Sequence, residues 1–115
     1  MRSSEGHARK AYSNILKNTR KRISGRPDTD PKHLERHMKG IANHWRIAIL
    51  LAIGKHDGIT LDQLVQQLDG NVKTISEHTR RLAIAGLVHK KYIGISVSHS
   101  LTPYGQRCRN FLLTF

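Results

Sequence analysis

The side chains in this sequence that could do chemistry are mostly cations. Its 115 residues include 20 lysines and arginines against 8 aspartates and glutamates, which gives a formal net charge of +12 with histidines neutral. Ammonium and guanidinium groups in such excess attract polyanions, either nucleic acid or an acidic membrane face, and both attractions weaken as salt is added. The charge therefore predicts a polyanionic partner, and the helical pattern described below favours nucleic acid.

The cations are concentrated near the start of the chain. Residues 2–26 hold eight of them against the single acid Glu5. Apolar residues recur there at three- and four-residue spacing between His7 and Ser24, which predicts either a helix with a basic back or a segment that is disordered in the free protein. Its candidate phosphate-binding residues are Arg9, Lys10, Arg20, Lys21 and Arg22.

Other chemistry finds less support. His33 and His37 are four residues apart and could share a helix face as two metal ligands. However, Cys108 is the single cysteine of the sequence, so neither a disulfide nor a cysteine-rich zinc cluster can form within it. We therefore interpret the two histidines as a solvated face and Cys108 as a small core or interface residue. We predict no metal, no cofactor and no small-molecule ligand.

Enzyme and membrane classes are also disfavoured. The sequence has no glycine-rich phosphate loop, no G-x-S-x-G elbow and no paired acids in a plausible cleft. Its longest apolar run, 47–53, is too short to cross a bilayer, and no charged start followed by an apolar stretch marks a secretory signal. We expect a non-enzymatic cytoplasmic protein with one folded core.

Helix signals begin after a break at residues 25–31. Two prolines oppose helix continuation there, and Asp30 followed by Pro31 is a typical helix start. Two helical stripes follow. Their predicted inward residues are Leu34, Met38, Ile41 and Ala42, then Trp45, Ile49, Leu50 and Ile53.

Two shorter helices come next, joined by a tight polar turn. Thr60 and Gln63 form a capping-box pattern at the start of the first, and Asn71 caps the second, which stops at Gly86. This arrangement is typical of a helix-turn-helix. The predicted inward residues are Leu61, Leu64, Val65 and Leu68, then Val72, Ile75, Thr79, Leu82 and Ala83 or Ala85.

The hydrophobic period changes from helical to two after Gly86. Residues 87–93 and 95–101 flank Gly94, which predicts a β-hairpin with a half-buried second strand. The predicted inward residues of that strand are Ile95, Val97, His99 and Leu101. Thr102-Pro103 then starts a last helix that leaves much apolar surface exposed.

Three segments carry a resemblance to a known family. Residues 41–50 (IANHWRIAIL) resemble the opening of ArsR-type repressors, and residues 74–78 (TISEH) with Leu82 and 85–88 (AGLV) resemble the recognition helix of ArsR-like and MarR-like regulators. Residues 100–105 (SLTPYG) are similar to the exit from the wing in MarR-like proteins. The resemblance covers about residues 32–105. It implies a winged helix-turn-helix that regulates transcription by binding double-stranded DNA sequence-specifically as a homodimer.

The predicted fold is mainly α with a small β-hairpin. We divide the chain into a basic N-terminal arm and linker at 1–31, a winged helix-turn-helix at 32–102 and a C-terminal helix at 103–115. The apolar end of that helix is too exposed for a free terminus, so we predict pairing across a two-fold axis, with folding back on its own domain as the other possibility. The candidate dimerisation residues are Tyr104, Phe111, Leu112 and Phe115.

The resemblance implies that the recognition helix, about 72–85, lies in the major groove, with the hairpin wing, 87–101, on the backbone. Its outward positions lie off the apolar stripe and suit phosphate and base-edge contacts. Glu77 either accepts from cytosine N4 or pairs with Arg80 or Arg81 in its own helix. The candidate DNA-binding residues of this helix are Lys73, Thr74, Ser76, Glu77, Arg80 and Arg81.

The wing tip departs from the family pattern. ArsR-like wings usually carry Arg near a glycine-rich tip, whereas this tip is Ile93-Gly94-Ile95. We therefore hypothesise that phosphates are met lower on the hairpin and that the basic arm reaches along the DNA, as homeodomain arms do. The candidate wing contacts are Lys90, Lys91, Ser96 and Ser98. Because residues 71–82 are only modestly basic, a non-specific architectural or adaptor protein is the alternative function.

Overall fold

The computed structural model describes residues 30–115. The predicted arm helix and the arm candidates Arg9, Lys10, Arg20, Lys21 and Arg22 lie outside the described residues. The chain divides between Arg36 and His37 into two compact units, and the second of these contains residues 37–115. The described elements are α1 (Pro31–Ile41), α2 (His44–Lys55), β1 (Ile59–Thr60), α3 (Leu61–Leu68), α4 (Val72–Ile84), β2 (Val88–Ile93), β3 (Ser96–Leu101) and α5 (Pro103–Thr114).

Short polar side chains begin the helices at the predicted positions. Asp30 accepts a hydrogen bond from the backbone N–H of Lys32 at 2.9 Å, directly before α1. The capping box of α3 is complete, since the Thr60 hydroxyl accepts from the Gln63 N–H and the Gln63 side chain accepts from the Thr60 N–H. Asn71 caps α4. These interactions satisfy N–H groups that the first turn of a helix leaves without intrahelical partners, so they fix where each helix starts.

The three described strands form one antiparallel sheet in the order β1-β3-β2. The predicted hairpin is confirmed: β2 pairs with β3 from Val88 opposite Leu101 to Ile93 opposite Ser96. Gly94 takes a φ of 61° in the connecting turn, a left-handed conformation that favours glycine. β1 reaches β3 only at Ser98 and His99, so it supports the inner half of the hairpin and leaves the outer half as a two-stranded ribbon.

Side chains from α2, α3, α4 and the start of β2 form the core beneath the helix-turn-helix. Ile75 and Leu82 of α4 are fully buried, as predicted, and Thr79 between them is almost so. They join the stripe of α2 predicted from Ile49, Leu50 and Ile53. This packing seats one face of α4 in the protein and leaves its other face to solvent. The core residues are Ile41, Ile49, Leu50, Ala52, Ile53, Ile59, Leu64, Ile75, Leu82, Ala85, Leu87, Val88 and Cys108.

The predicted inward stripe of Leu34, Met38, Ile41 and Ala42 is wrong at three positions. Leu34 and Met38 are 43% and 45% exposed, and Ala42, just past the end of α1, is exposed as well. His37, predicted to be solvated, is buried together with Ile41. The reason is a hydrogen bond: the Nδ1 of His37 lies 2.8 Å from the carbonyl oxygen of Ala85, just past the end of α4. The last carbonyls of a helix have no intrahelical N–H donor, so a ring N–H that reaches one can be buried at low cost.

Two further residues predicted to face inward are exposed. Val72 is the first residue of α4, and the contact of this helix with the core begins only one turn later, at Ile75. Ile95 lies in the hairpin turn and is fully exposed, because β1 pairs with β3 only at Ser98 and His99 and does not extend to the tip. No helix among residues 30–115 is long and apolar enough to cross a membrane.

Candidate nucleic-acid interface

The exposed face of α4 carries the six side chains predicted for DNA binding. Lys73, Glu77, Arg80 and Arg81 are exposed, while Thr74 and Ser76 are partly buried beside the packed face. The Asn71 side chain accepts from the backbone N–H groups of Lys73 and Thr74 at 2.8 and 3.4 Å, so the first turn of the helix is held in place. Between the exposed apolar residues at its two ends, Val72 and Ile84, the helix therefore presents a polar surface to solvent, and its apolar stripe holds the opposite side in the core.

Glu77 pairs with both arginines of this surface. Its carboxylate accepts from Arg80 through two guanidinium N–H groups, at 3.1 and 2.8 Å, and from the Nε of Arg81 at 3.2 Å. The hydrogen bond from Arg80, followed by that from Arg81, lowers the pKa of Glu77 to about 2. Of the two interpretations drawn from the sequence, the intrahelical pairing is the one found, and it partly neutralises the cationic face of α4.

Lys90 links the wing to this helix. Burial lowers the pKa of the Lys90 ammonium, the positive charge of Arg80 lowers it further, and Glu77 raises it. Lys90 thus lies within electrostatic range of both, on the strand face that packs toward α4. Because side chains alternate along a strand, Lys91 points to the opposite face, where it lies opposite Ser98.

The predicted wing contacts are consequently divided between two faces of the hairpin. Lys90 shares a surface with the arginines of α4, whereas Lys91, Ser96 and Ser98 do not share its strand face. Ser96 is exposed at the outer end of β3, and the Ser98 hydroxyl donates to the backbone carbonyl of Lys91 at 3.5 Å.

The sequence analysis did not predict a contact between Arg46 of α2 and His78 of α4. The Nη1 of Arg46, on α2, lies 3.5 Å from the Nδ1 of His78, and its Nη2 lies 3.5 Å from the Lys39 carbonyl oxygen. Burial and then the charge of Arg46 lower the pKa of His78. The Nε of Arg46 is buried with no hydrogen-bond partner among the described residues. The one feature of the sequence that singles out Arg46 is its position within the motif at residues 41–50.

His37 is engaged within its own chain, and an open groove lies beside α3. The His37 ring is occupied, since it bonds to Ala85 and stacks on Tyr104 with centroids 4.7 Å apart. Residues 30–115 contain no group of three or more His, Cys, Asp or Glu able to hold a metal ion. An open groove of about 500 Å³ is lined by His56, Ile59, Gln63, Gln66 and Gln67.

The predicted dimerisation residues also divide between two environments. Tyr104 and Leu112 pack against the core of their own chain. Phe111 and Phe115 are exposed, as is Leu113 between them, and the two phenyl rings meet edge to face at 5.6 Å. One side of α5 therefore folds back on the protein, and the other leaves an apolar terminal surface, defined here by Phe111, Leu113 and Phe115.

Comparison with known proteins identifies the fold. The sequence matches no protein-family model and no curated protein. Among solved structures, reduced HlyU from Vibrio cholerae N16961 is 20% identical over 74% of this chain and 90% of its own, with a TM-score of 0.67. The transcriptional repressor PagR of Bacillus anthracis is 20% identical over 70% and 93%, at 0.65. MarR is 19% identical over 91% and 72%, at 0.61.

These similarities confirm the predicted winged helix-turn-helix, mainly helical with a small antiparallel sheet, and the resemblance to ArsR-like and MarR-like proteins at the level of fold. In that fold α3 and α4 are the helix-turn-helix pair, and β2 with β3 is the wing.

Proposed function

We propose that this protein is a transcriptional regulator that binds double-stranded DNA sequence-specifically. The observation that carries the proposal is the outward face of α4, where Lys73, Thr74 and Ser76 lie on the solvent side of a helix whose opposite side is fixed in the core. The major groove of DNA is wide enough to admit an α-helix, and these side chains suit phosphate and base-edge contacts. The structural neighbours include a transcriptional repressor, which supports a role in regulation.

The wing and the C-terminal helix complete the proposed complex. Lys90, beside Arg80, would meet the phosphate backbone next to the groove that α4 occupies. The apolar terminal surface on α5 would pair with a second copy, which sets two α4 helices at half-sites about one helical turn apart. Palindromic operators follow from that symmetry.

A second candidate function is non-specific coating of DNA. The observation in its favour is the charge distribution: Glu77 ties up Arg80 and Arg81, while residues 2–26 carry eight cations against one acid. Such a protein would bind duplexes of any sequence through its arm, with an affinity that falls steeply as salt rises.

Selection from random duplexes separates the two functions. The full-length protein is incubated with a pool of random duplexes at two salt concentrations, and the bound fraction is sequenced. We expect a palindromic motif that persists at the higher salt, and we expect Thr74→Ala and Ser76→Ala to relax base preference at defined positions. Enrichment of no motif, with binding lost at higher salt, would establish the coating function instead.

Removing the arm tests its share of the binding. A protein lacking residues 1–26 should bind more weakly and with a shallower salt dependence, because each lost phosphate contact lowers the slope by about 0.9. The enriched motif should stay the same, since α4 is untouched. Unchanged affinity and slope would remove the arm from the proposed interface.

A further inference from the structure

The outer end of the hairpin exposes three large apolar side chains. Tyr92 and Ile93 are 74% and 59% exposed, and Ile95 is fully exposed. None of the three belongs to the core or packs against it, so most of their apolar surface stays in water. We name Tyr92, Ile93 and Ile95 the apolar wing tip.

Cations lie immediately behind the apolar wing tip. Lys91 directly precedes Tyr92 and is exposed, and Lys90 lies on the strand face that carries the charge of Arg80. The surface that complements this arrangement has anionic rims and apolar walls. The minor groove of duplex DNA is such a surface, because phosphates border a cleft about 6 Å wide whose sides are formed by deoxyriboses.

The shape of the tip suits insertion of a single side chain. The two-residue turn at Gly94 and Ile95 ends the ribbon, and the fully exposed Ile95 side chain stands at that end. Isoleucine can read no base by hydrogen bonding. Apolar side chains inserted in a minor groove instead separate adjacent base pairs and bend the duplex.

We propose that Ile95 is an apolar wedge that enters the minor groove beside the α4 site and bends the DNA there, while Lys91 binds a flanking phosphate. This inference rests on the proposed function and adds to it a means of sequence discrimination. Pyrimidine–purine steps such as TA unstack most easily, so the protein would prefer them at a position that no polar side chain contacts.

Bending is measured by energy transfer between dyes at the two ends of a duplex of about 30 base pairs carrying the selected motif, with TA or AA at the wing position. We expect the full-length wild-type protein to increase the transfer, more so with TA. Ile95→Ser should lose most of that increase and about tenfold in affinity for the TA duplex. Ile95→Leu should retain both properties, because it keeps an apolar side chain at the tip.

Leu34→Ser is the matched control, since Leu34 is also an exposed aliphatic residue but lies on α1. It should bend DNA as the wild type does. A wild-type complex that stays straight, or an Ile95→Ser complex that bends equally, would overturn the wedge while the bound DNA upholds the proposed function. Failure of the wild type to bind any duplex would overturn the proposed function itself. An Ile95→Ser protein with unchanged bending but a smaller mass in sedimentation would show the tip to be a contact between copies.

Discussion

Glu77 limits how strongly the cationic face of α4 can bind phosphate. Its carboxylate holds Arg80 and Arg81 and, with its pKa lowered to about 2, stays ionised throughout the neutral and mildly acidic range. We predict that Glu77→Gln raises affinity for all duplexes by about tenfold, because two guanidinium groups are released and one anion is removed. Filter binding at several salt concentrations measures this.

Asp57→Asn is the control for Glu77→Gln, since Asp57 is an exposed acid in the turn between α2 and β1. It should change affinity far less. A Glu77→Gln protein that loses affinity only for sites with a particular cytosine would show that Glu77 reads that base.

His99 makes stability depend on pH. It is buried in β3, and its Nδ1 donates a hydrogen bond to the Ile59 carbonyl at 3.0 Å. Burial lowers the pKa of His99 below 6.5, and the positive charge of Lys90 lowers it further, while the hydrogen bond to Ile59 raises it. Well above pH 6.5 the ring is neutral in both folded and unfolded chains. Below it the unfolded chain binds the proton first, so the free energy of unfolding falls by up to about 1.4 kcal/mol per pH unit until the folded pKa is passed.

Urea titrations at pH 7.5 and pH 5.5 check this, with His99→Gln as the comparison. Glutamine can donate to the same carbonyl but does not titrate. We expect the wild type to lose about 1 kcal/mol more than the variant over this interval. Equal losses would mean that His99 is protonated as readily in the folded protein as in the unfolded chain.

The two buried histidines also show where residue-level prediction stops. The period-two pattern of β3 assigns His99 to the inner face, and it is buried there. The helical pattern of α1 assigns His37 to solvent, because imidazole counts as polar in any hydrophobicity pattern. Its burial depends on the Ala85 carbonyl, 48 residues later, and on the Tyr104 ring. Local periodicity carries no information on partners so distant in sequence.

At the scale of elements, the SLTPYG motif at residues 100–105 connects the start of α5 to the turn that follows α4. The Thr102 hydroxyl donates to the Gly86 carbonyl at 2.6 Å and accepts from the Gly105 N–H at 3.0 Å, while the Thr102 N–H donates to the Leu87 carbonyl at 3.1 Å. A single residue thereby caps α5 and ties it to the turn between α4 and β2. The motif stabilises the connection of the helix-turn-helix to its wing.

Gly105 is required for this connection. A Cβ there would collide with the backbone carbonyl of Leu87, which cannot move without displacing the start of β2. We predict that Gly105→Ala lowers the free energy of unfolding by about 2 kcal/mol or more. Denaturant unfolding measures this, and Gln106→Ala, at the exposed next position, should change it by less than about 0.5 kcal/mol. A Gly105→Ala protein as stable as the wild type would mean that α5 can shift away from β2.

The starts of α1, α3 and α4 were predictable because caps are local. Asp30, Thr60 and Asn71 each satisfy N–H groups within three residues, so the sequence contains both partners. The inward face of α3, and that of α4 beyond its first residue, followed from periodicity for the same reason. Leu34 and Met38 were assigned wrongly since the face that a helix buries is set by the elements around it, and those lie elsewhere in the chain.

At the scale of the whole molecule, a palindromic site requires two copies, and the apolar terminal surface on α5 is where we predict they meet. Its three large side chains face away from the core that Tyr104 and Leu112 contact. A double substitution, Phe111→Ser with Leu113→Ser, should halve the mass in sedimentation at micromolar concentration. Affinity for the palindrome should fall by about 100-fold and that for one half-site should not change, because only the linked second binding event is lost.

The matched control is Gln106→Ser with Asn110→Ser, which removes an exposed hydrogen bond of 3.1 Å from the same helix and leaves every apolar side chain in place. That protein should keep the wild-type mass. A monomeric wild type would contradict the pairing. The edge-to-face contact of Phe111 with Phe115 would then be what covers part of this surface, and each copy would bind one half-site independently. Recognition would in that case depend on contacts within one copy, so the enriched motif would be a single half-site with no two-fold symmetry.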